Sequence, residues 1–229
     1  MPFDPARVRA ILFDIDGTLS DTDDEMAARL AKWLALPARL VNPNLPQRTA
    51  RWLVMTAESP GNMLYGIFDR FDLDSLVIKA LNRLSRQRKN KKRHFWLIQG
   101  VKEMLESLFP RYPLGVVSAR DEESTLAFLD AFALRGYFGT IVTSQTCRYT
   151  KPFPDPILHA AADLKTEARA CLMVGDTTVD MKAGKLAGAQ TAAVLCGFGT
   201  EKELRRAGAD LVLNSPSELP AALSFSEII

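Results

Sequence analysis

Residues 11–19 read Ile11-Leu12-Phe13-Asp14-Ile15-Asp16-Gly17-Thr18-Leu19, an apolar run that ends in two carboxylates one residue apart. Successive residues of an extended strand point to opposite faces, so the side chains of Asp14 and Asp16 point the same way. Two neighbouring carboxylates repel each other unless a cation lies between them or one of them is protonated. Gly17 can turn the chain sharply, and Thr18 adds a hydroxyl beside the acids. The segment therefore predicts either an ordinary Asp-Gly turn or a strand end whose paired acids serve a purpose.

The composition is that of an ordinary globular protein. The 229 residues are 47% hydrophobic and 24% charged, which suits one domain or one domain with an insertion. No apolar run is long enough to cross a bilayer, so no membrane association is expected. Cys147, Cys171 and Cys196 lack metal-ligand spacing, which predicts free thiols in a reducing compartment and Cys171 in a buried strand. A cytoplasmic location is the resulting expectation.

The net charge of +2 comes from 29 basic and 27 acidic residues, and the basic residues are unevenly distributed. Residues 86–93 hold a dense run of lysine and arginine without a single acid. One local patch differs from the broad positive surface of a general nucleic-acid binder, so nucleic acid is not the expected partner. The patch is compatible with a solvated helix end, with a funnel that steers an anionic substrate, or with nucleic-acid contact through Trp96.

Short apolar or β-branched runs alternate with stretches of helical spacing over most of the chain. The predicted strands are residues 10–13, 114–117, 140–143, 170–174, 191–195 and 210–213. The predicted helices between them include residues 122–134, 156–164, 179–187 and 201–207. Apolar strands that alternate with helices indicate an α/β fold with a doubly wound parallel sheet, covered on both faces. Ligands bind beyond the carboxyl ends of the strands in such sheets, which is where Asp14 and Asp16 lie.

Residues 21–99 interrupt this alternation. Helical spacing runs through residues 24–36, 47–57, 63–71 and 73–88, separated by proline-containing breaks. A strand-free block directly after the first strand predicts an inserted helical subdomain. The expected organisation is a Rossmann-like α/β core formed by residues 1–20 and 100–229, with a helical cap formed by residues 21–99.

Polar side chains also follow later strands of the predicted sheet. They are Ser118 and Arg120 after the second strand, Lys151 ahead of two prolines, and Asp176 and Asp180 after the fourth strand. In a parallel sheet these groups converge on one edge, beside the first pair of acids. Taken alone, each has a simpler interpretation: a turn hydroxyl, a solvated lysine, or an acid that stabilises the first turn of a helix. Those separate interpretations do not explain why the groups meet at one edge.

The motifs resemble those of haloacid dehalogenase-like phosphohydrolases with a helical cap, the group that contains phosphoglycolate phosphatases and β-phosphoglucomutases. The resemblance covers essentially the whole core, from Asp14-Ile15-Asp16-Gly17-Thr18 through Ser118 and Lys151-Pro152 to Gly175-Asp176 and Asp180. It implies a Mg²⁺-dependent phosphatase that hydrolyses a small phosphorylated metabolite, a phosphate monoester of the phosphoglycolate type, through an aspartyl-phosphate. The alternatives are a phosphomutase of the β-phosphoglucomutase type and, in a different class, a non-catalytic binding module of the same fold.

The resemblance also implies roles for the four acids. Asp14 is the expected nucleophile, and Asp16 is the expected general acid that later activates water as a base. The expected Mg²⁺ ligands are Asp14, Asp176 and the backbone carbonyl of Asp16, with Asp180 binding the ion directly or through another ligand.

A second set of residues is expected to hold the substrate phosphate. These residues are Ser118, Lys151, Thr18 and Arg120, and Lys151 also counters the charge that develops during transfer. The family often has an amide where this chain has Ala119, which removes one donor near the phosphate. Arg120 either replaces that donor or points elsewhere.

The helical cap is expected to close over the site, exclude water and choose the substrate. Its candidate specificity residues are Gln47, Arg48, Arg51 and Asn62, although polar residues on an amphipathic helix usually face solvent. The sequence leaves open the identity of the metabolite, and it is compatible with both a monomer and a homodimer.

Overall fold

The computed structural model describes residues 3–21 and 95–224 of the chain. The four helices predicted between residues 24 and 88 lie outside these ranges. So do the basic stretch 86–93 and the four candidate specificity residues of the cap.

Six parallel strands form one sheet in the order β3-β2-β1-β4-β5-β6. They are β1 (Ala10–Phe13), β2 (Leu114–Val117), β3 (Phe138–Val142), β4 (Cys171–Gly175), β5 (Gln190–Val194) and β6 (Leu211–Leu213). Each strand lies within a residue or two of its predicted position. The doubly wound parallel sheet expected from the sequence is confirmed.

The strand order changes direction at β1, which lies between β2 and β4. Phe13 of β1 pairs with Val174 of β4, so the two strands end at the same level. In doubly wound sheets, ligands bind in the crevice beyond the strand ends at such a change of direction. We refer to the space beyond the carboxyl ends of β1 and β4 as the crevice.

The described residues form six α-helices around the sheet. They are α1 (Val101–Leu108), α2 (Glu122–Ala131), α3 (Asp155–Asp163), α4 (Thr178–Leu186), α5 (Glu201–Ala207) and α6 (Leu219–Ser224). Not one of these helices combines the length and the apolar character that crossing a membrane requires.

Apolar side chains fill the space on both faces of the sheet. Ile11 and Phe13 of β1 belong to a core cluster that includes residues of α1, α2 and α6. Ala10 and Leu12 belong to a second cluster, with residues of α3 and α4. All four side chains are fully buried. Because both faces of β1 are covered, its sequence is a continuous apolar run and not an alternation of apolar and polar residues.

Helix α2 ends earlier than the predicted boundary at residue 134. Ala133 adopts a positive φ of 55°, which an α-helix cannot accommodate. The backbone N–H of Leu134 donates to the carbonyl of Leu129 at 2.8 Å, and that of Ala133 donates to Asp130 at 3.1 Å. This is the Schellman pattern, with alanine at the position that glycine usually occupies. The apolar spacing continues to the buried Leu134, which is why the sequence pattern overestimates the length of the helix.

The two chain segments that flank residues 22–94 lie side by side. Ser20 forms an antiparallel bridge with Leu97. The backbone N–H of Asp21 donates to the carbonyl of Trp96 at 2.8 Å. The chain therefore leaves and rejoins the described part of the fold at one place, as an insertion after the first strand requires. The exact bounds of the core and cap stay a prediction.

Candidate active site

The crevice gathers three carboxylates. One carboxylate oxygen each from Asp14, Asp176 and Asp180 lies within 4.8 Å of the other two. The three residues are buried, with exposed fractions of 2%, 0% and 0%. Buried carboxylates lose their hydration and repel one another, so such a carboxylate cluster is favourable only where cations neutralise it or some of its members are protonated.

Lys151 supplies one positive charge to the carboxylate cluster. Its Nζ donates to Oδ1 of Asp14 at 2.8 Å and to Oδ1 of Asp180 at 2.6 Å. The lysine side chain is 3% exposed, so both ion pairs are shielded from water. One lysine does not balance three carboxylates, and the cluster carries an excess of negative charge when all three are ionised.

The start of helix α4 fixes the side chain of Asp180. Its Oδ2 accepts from the backbone N–H of Thr177 at 3.1 Å and from the hydroxyl of Thr177 at 2.6 Å. The hydroxyl oxygen of Thr177 accepts in return from the backbone N–H of Asp180, and the two bonds together form a capping box. A Cβ at Gly175 would collide with the Asp180 carboxyl group. Asp180 therefore caps the helix and orients Lys151, whereas its role as a metal ligand stays a prediction.

One carboxylate oxygen of Asp14 has no hydrogen-bond partner among the described residues. Its Oδ2 is buried and accepts no hydrogen bond from the residues that the structure describes. Desolvation by burial raises the pKa of Asp14 from 3.8 to about 7, against the opposing charge of Lys151. The nearby carboxylates of Asp180 and Asp16 contribute to the rise. A buried carboxylate that is costly to ionise and has an open oxygen fits a divalent cation, which would neutralise it.

The raised pKa of Asp14 predicts how the stability of metal-free protein depends on pH. The folded state binds the proton of the Asp14 carboxyl group more tightly than the unfolded chain does. The resulting stabilisation of the folded state is complete below about pH 4 and is lost as the pH rises through about 7. In EDTA, the free energy of unfolding of the wild type, relative to Asp14→Asn, should fall by on the order of 3 kcal/mol from about pH 5 to pH 8. Urea unfolding at several pH values measures this difference. A difference that stays constant across the range would contradict the raised pKa.

The loop that follows β5 packs against the side chain of Asp176, which itself follows β4. Its Oδ2 accepts from the backbone N–H of Phe198 at 2.8 Å, and its Oδ1 accepts from the hydroxyl of Thr18 at 3.5 Å. A Cβ at Gly197 would collide with this carboxylate. The sequence-based prediction missed the loop, although glycine on both sides of Phe198 was a usable signal. Gly197 and Gly199 allow the backbone to approach the acid closely.

Gly17 allows the turn after β1 to lie against Asp176. Its φ is +72°, and a Cβ at this position would overlap the Asp176 carboxylate. Gly17→Ala should lower the free energy of unfolding by about 2–4 kcal/mol, because the collision adds to the backbone strain. Gly188→Ala is the matched control: its φ is +82° and nothing lies within 4 Å of the added Cβ, so it should cost about 1–2 kcal/mol. Equal losses for the two variants in urea unfolding would show that no collision occurs.

Asp16 lies at the edge of the crevice, where its side chain is 18% exposed. Arg120 donates to both of its carboxylate oxygens, from Nε to Oδ2 at 2.7 Å and from Nη2 to Oδ1 at 2.5 Å. The sequence placed Arg120 among the residues that hold the substrate phosphate. Its guanidinium lies on Asp16 in the structure, and a contact with phosphate stays a prediction.

The other predicted phosphate contacts line the same region. Ser118 follows β2 and is 4% exposed, and its Oγ accepts from the backbone N–H of Arg120 at 3.1 Å. Thr18 is fully buried, with its hydroxyl directed at Asp176. The residues predicted for the site therefore lie in two adjoining groups, one in the carboxylate cluster and one around Asp16.

Comparison with known proteins agrees with this geometry. Residues 11–194 match the family model described as haloacid dehalogenase-like hydrolase, and the chain belongs to this family. A phosphoglycolate phosphatase from Aquifex aeolicus is 31% identical over 214 residues, covering 93% of this chain and 95% of that protein. An N-acetylmuramic acid 6-phosphate phosphatase from Pseudomonas putida is 30% identical over 222 residues, covering 93% of this chain and 95% of that protein. Among solved structures, a hydrolase from Pseudomonas syringae is 26% identical with a TM-score of 0.67, covering 95% of this chain and 98% of that one.

The family, the named relatives and the buried acids indicate one class of enzyme. Both relatives are phosphatases that match this chain over nearly its whole length. The carboxylate cluster supplies the oxygen-rich, negatively charged site that metal-assisted phosphoryl transfer requires. The protein is a phosphatase of the haloacid dehalogenase-like family, as the resemblance in the sequence implied.

Proposed function

We propose that this protein hydrolyses a small phosphorylated metabolite in a Mg²⁺-dependent reaction, with Asp14 as the residue that becomes phosphorylated. The observation that carries the proposal is the asymmetry of the Asp14 carboxylate. Lys151 holds Oδ1 at 2.8 Å, and Oδ2 is buried without a hydrogen-bond partner within residues 3–21 and 95–224. A carboxylate that acts as a nucleophile needs one oxygen that no donor has engaged, and a fixed orientation for the attack.

Asp14 and Asp16 take different roles in this proposal. An oxygen of Asp14 attacks phosphorus, and Asp16 gives a proton to the oxygen that leaves. Asp16 then removes a proton from the water that hydrolyses the aspartyl-phosphate. The different exposure of the two residues supports this division, because Asp14 is 2% exposed whereas the side chain of Asp16 is 18% exposed. Asp16 is therefore the acid better able to exchange protons with a substrate and with water.

The carboxylate cluster is proposed to hold the Mg²⁺. Asp14, Asp176 and the backbone carbonyl of Asp16 would bind the ion, with Asp180 beside them. These donors are all oxygen atoms, which Mg²⁺ prefers. The bound ion would supply positive charge that neutralises the buried acids and attracts the anionic phosphate. The charge excess that Lys151 leaves in the cluster supports this assignment.

Ser118 and Lys151 are proposed to hold the phosphate oxygens that are not transferred, with Thr18 behind them. The Ser118 oxygen accepts from the backbone N–H of Arg120, so its hydroxyl hydrogen can be donated to a phosphate oxygen. Lys151 is already directed at Asp14 and carries the charge that a phosphate attracts. Thr18 supports the site through its bond to Asp176.

The substrate is proposed to be a phosphate monoester of the phosphoglycolate type, selected by a helical cap formed by residues 21–99. The pairing of Ser20 with Leu97 supports this arrangement, because the chain leaves and rejoins the described residues at one place, close to Asp16. The names of the two relatives also support a small substrate, since one acts on phosphoglycolate and the other on a phosphorylated sugar acid.

A cytoplasmic location is part of the proposal. Cys147, Cys171 and Cys196 form no disulfide, which suits a reducing compartment. Cys171 is buried in β4, as predicted, and desolvation raises the pKa of its thiol to about 11. It is therefore an unreactive core residue.

Phosphate release from a panel of phosphorylated metabolites, with and without Mg²⁺, tests the proposed function. We expect Mg²⁺-dependent release of inorganic phosphate from at least one small phosphate monoester. Beryllium fluoride mimics an aspartyl-phosphate and should raise the melting temperature only when Mg²⁺ is present. An isomeric sugar phosphate without free phosphate would indicate a phosphomutase. No turnover together with no melting shift would contradict the catalytic site.

A further inference from the structure

Arg120 binds Asp16 through two N–H groups of one planar guanidinium. Nε donates to Oδ2 at 2.7 Å, and Nη2 donates to Oδ1 at 2.5 Å. The side chains of Arg120 and Asp16 are 13% and 18% exposed, so the pair is mostly shielded from water. A bidentate pair of this kind fixes both the position and the plane of the carboxylate, which a lysine ammonium does not.

Two aromatic rings and the backbone keep Arg120 in this position. The guanidinium carbon lies 5.7 Å from the centre of the Phe95 ring and 5.4 Å from that of Phe128, within the range of cation–π attraction. The backbone N–H of Arg120 donates to Ser118 Oγ at 3.1 Å, and its carbonyl accepts from the N–H of Ser144 at 3.0 Å. The orientation of the guanidinium is therefore set by the core itself.

This geometry directs the guanidinium at the Asp16 carboxylate. Two of its three nitrogen atoms are engaged by the carboxylate. The third, Nη1, is buried and has no partner in the part of the chain that the structure describes. A phosphate that drew on Nε or Nη2 would have to displace the Asp16 carboxylate. Arg120 therefore orients the Asp16 carboxylate. Any effect of Arg120 on a bound substrate would pass through Asp16.

We propose that Arg120 is a positioning residue for departure of the leaving group: it fixes the Asp16 carboxyl in the orientation that passes a proton to the leaving oxygen. The inference rests on the proposed function, in which Asp16 is that proton donor. In this step a bond forms between Asp14 and phosphorus, the bond from phosphorus to the leaving oxygen breaks, and the proton of Asp16 moves to that oxygen. Each carboxyl oxygen has two acceptor positions, so the Arg120 pair leaves one on each oxygen for the proton.

Leaving groups differ in how much they need this proton. The alcohol oxygen of an alkyl phosphate is a poor leaving group unless it is protonated as it departs. The nitrophenolate of p-nitrophenyl phosphate leaves readily as an anion. Loss of the Asp16 orientation should therefore slow formation of the aspartyl-phosphate from the first substrate and spare its formation from the second. Hydrolysis of the aspartyl-phosphate is the same step for both substrates, so the comparison is made on the rate of its formation. A phosphate-binding residue would affect both substrates, because they present the same phosphate.

The test compares Arg120→Gln, Arg120→Lys, Asp16→Asn and the double variant Asp16→Asn/Arg120→Gln. Each is assayed with p-nitrophenyl phosphate and with the alkyl phosphate that the metabolite panel identifies. In acid-quenched single turnovers, Arg120→Gln should lower the rate of aspartyl-phosphate formation from the alkyl phosphate about 10- to 100-fold and change the rate from p-nitrophenyl phosphate by less than about threefold. The substrate concentration that gives the half-maximal rate should stay within about threefold for both. Arg120→Lys keeps the charge without the bidentate geometry and should recover only part of the loss.

The double variant shows whether the two residues act in the same step. Adding Arg120→Gln to Asp16→Asn should change the rate of aspartyl-phosphate formation from the alkyl phosphate by no more than about twofold. Retained formation of the aspartyl-phosphate from p-nitrophenyl phosphate shows that the variants are folded. Equal losses on both substrates with a raised KM, or multiplicative losses in the double variant, would overturn the positioning role. Wild-type protein that releases phosphate from neither substrate would instead refute the proposed function and, with it, this inference.

Discussion

Asp14→Asn is expected to lower phosphate release by at least about 10⁴-fold at saturating Mg²⁺. A neutral amide is a far weaker nucleophile than a carboxylate and forms no stable acyl-phosphate. The side chain keeps nearly the same volume, so the buried site stays filled and the loss reports chemistry. Acid-quenched wild type incubated with substrate should carry one added phosphoryl group on the peptide that contains Asp14. The variant should carry none, as measured by mass spectrometry.

Two comparisons separate loss of the nucleophile from loss of the fold. Asp14→Asn should be folded and, without metal above about pH 7, more stable than the wild type, because a buried carboxylate with a raised pKa has been removed. Asp16→Asn makes the same chemical change at the neighbouring acid and leaves the nucleophile in place. It should still accumulate aspartyl-phosphate from p-nitrophenyl phosphate and hydrolyse it slowly. Retained turnover in Asp14→Asn would show that another group attacks phosphorus.

The position of the site could be predicted from the sequence because a parallel sheet brings the carboxyl ends of its strands together. The apolar run at residues 10–13 marks a strand buried on both faces, and the acids that follow it fall at its carboxyl end. The same argument places Ser118 after β2 and Asp176 after β4. None of these placements depends on side-chain conformation, so periodicity and turn chemistry were sufficient.

The contacts between the site residues could not be predicted in this way. Lys151 is 137 positions from Asp14 and 29 from Asp180, so its partners depend on the path of the loop that carries it. Arg120 reaches Asp16 because the rings of Phe95 and Phe128 flank its guanidinium. Sequence spacing carries no information on which side chains meet across such distances. It predicts which residues lie at one edge of the sheet better than it predicts the bonds among them.

Two local errors have the same origin. Apolar spacing continues past the end of α2 because Leu134 is buried although it lies in the turn that follows the helix. Helix α6 was not predicted, since Leu219–Ser224 is too short for a helical period to stand out. In both places the apolar pattern correctly predicts which residues are buried. The backbone conformation of these residues depends on the elements that pack against them.

Lys151→Met is expected to lower the free energy of unfolding by about 3–5 kcal/mol in EDTA at about pH 8. Methionine fills a similar volume, so the loss reflects charge more than packing. It leaves Asp14 and Asp180 buried without the ammonium group that lies 2.8 Å and 2.6 Å from their oxygens. Urea unfolding of the variant and the wild type measures the difference. Phosphate release should fall as well, because Lys151 also faces the developing charge in the proposed reaction.

Lys185→Met is the matched control for this substitution. Lys185 pairs with Asp210 at 2.6 Å, the same distance as the pair between Lys151 and Asp180. Its side chain is 37% exposed, compared with 3% for Lys151. Water screens the lysine, and the Asp210 carboxylate, although only 5% exposed, also accepts from the backbone N–H and the hydroxyl of Thr191, so Lys185→Met should cost only about 1 kcal/mol. Equal costs for the two variants would show that burial of the ion pair is not what makes it strong.

A second substitution tests whether uncompensated charge causes the loss. Asp180→Asn alone should destabilise the wild type, because it removes the charge of the ion pair, and one amide oxygen cannot accept both from Lys151 and from Thr177 in the capping box. Added to Lys151→Met, the same change should recover part of the lost stability, because it removes a carboxylate that no longer has a cation. Mg²⁺ should also restore part of the stability of Lys151→Met, since it supplies positive charge to the same acids. Additive losses in the double variant would mean that Lys151 stabilises the fold through packing and not through the carboxylate cluster.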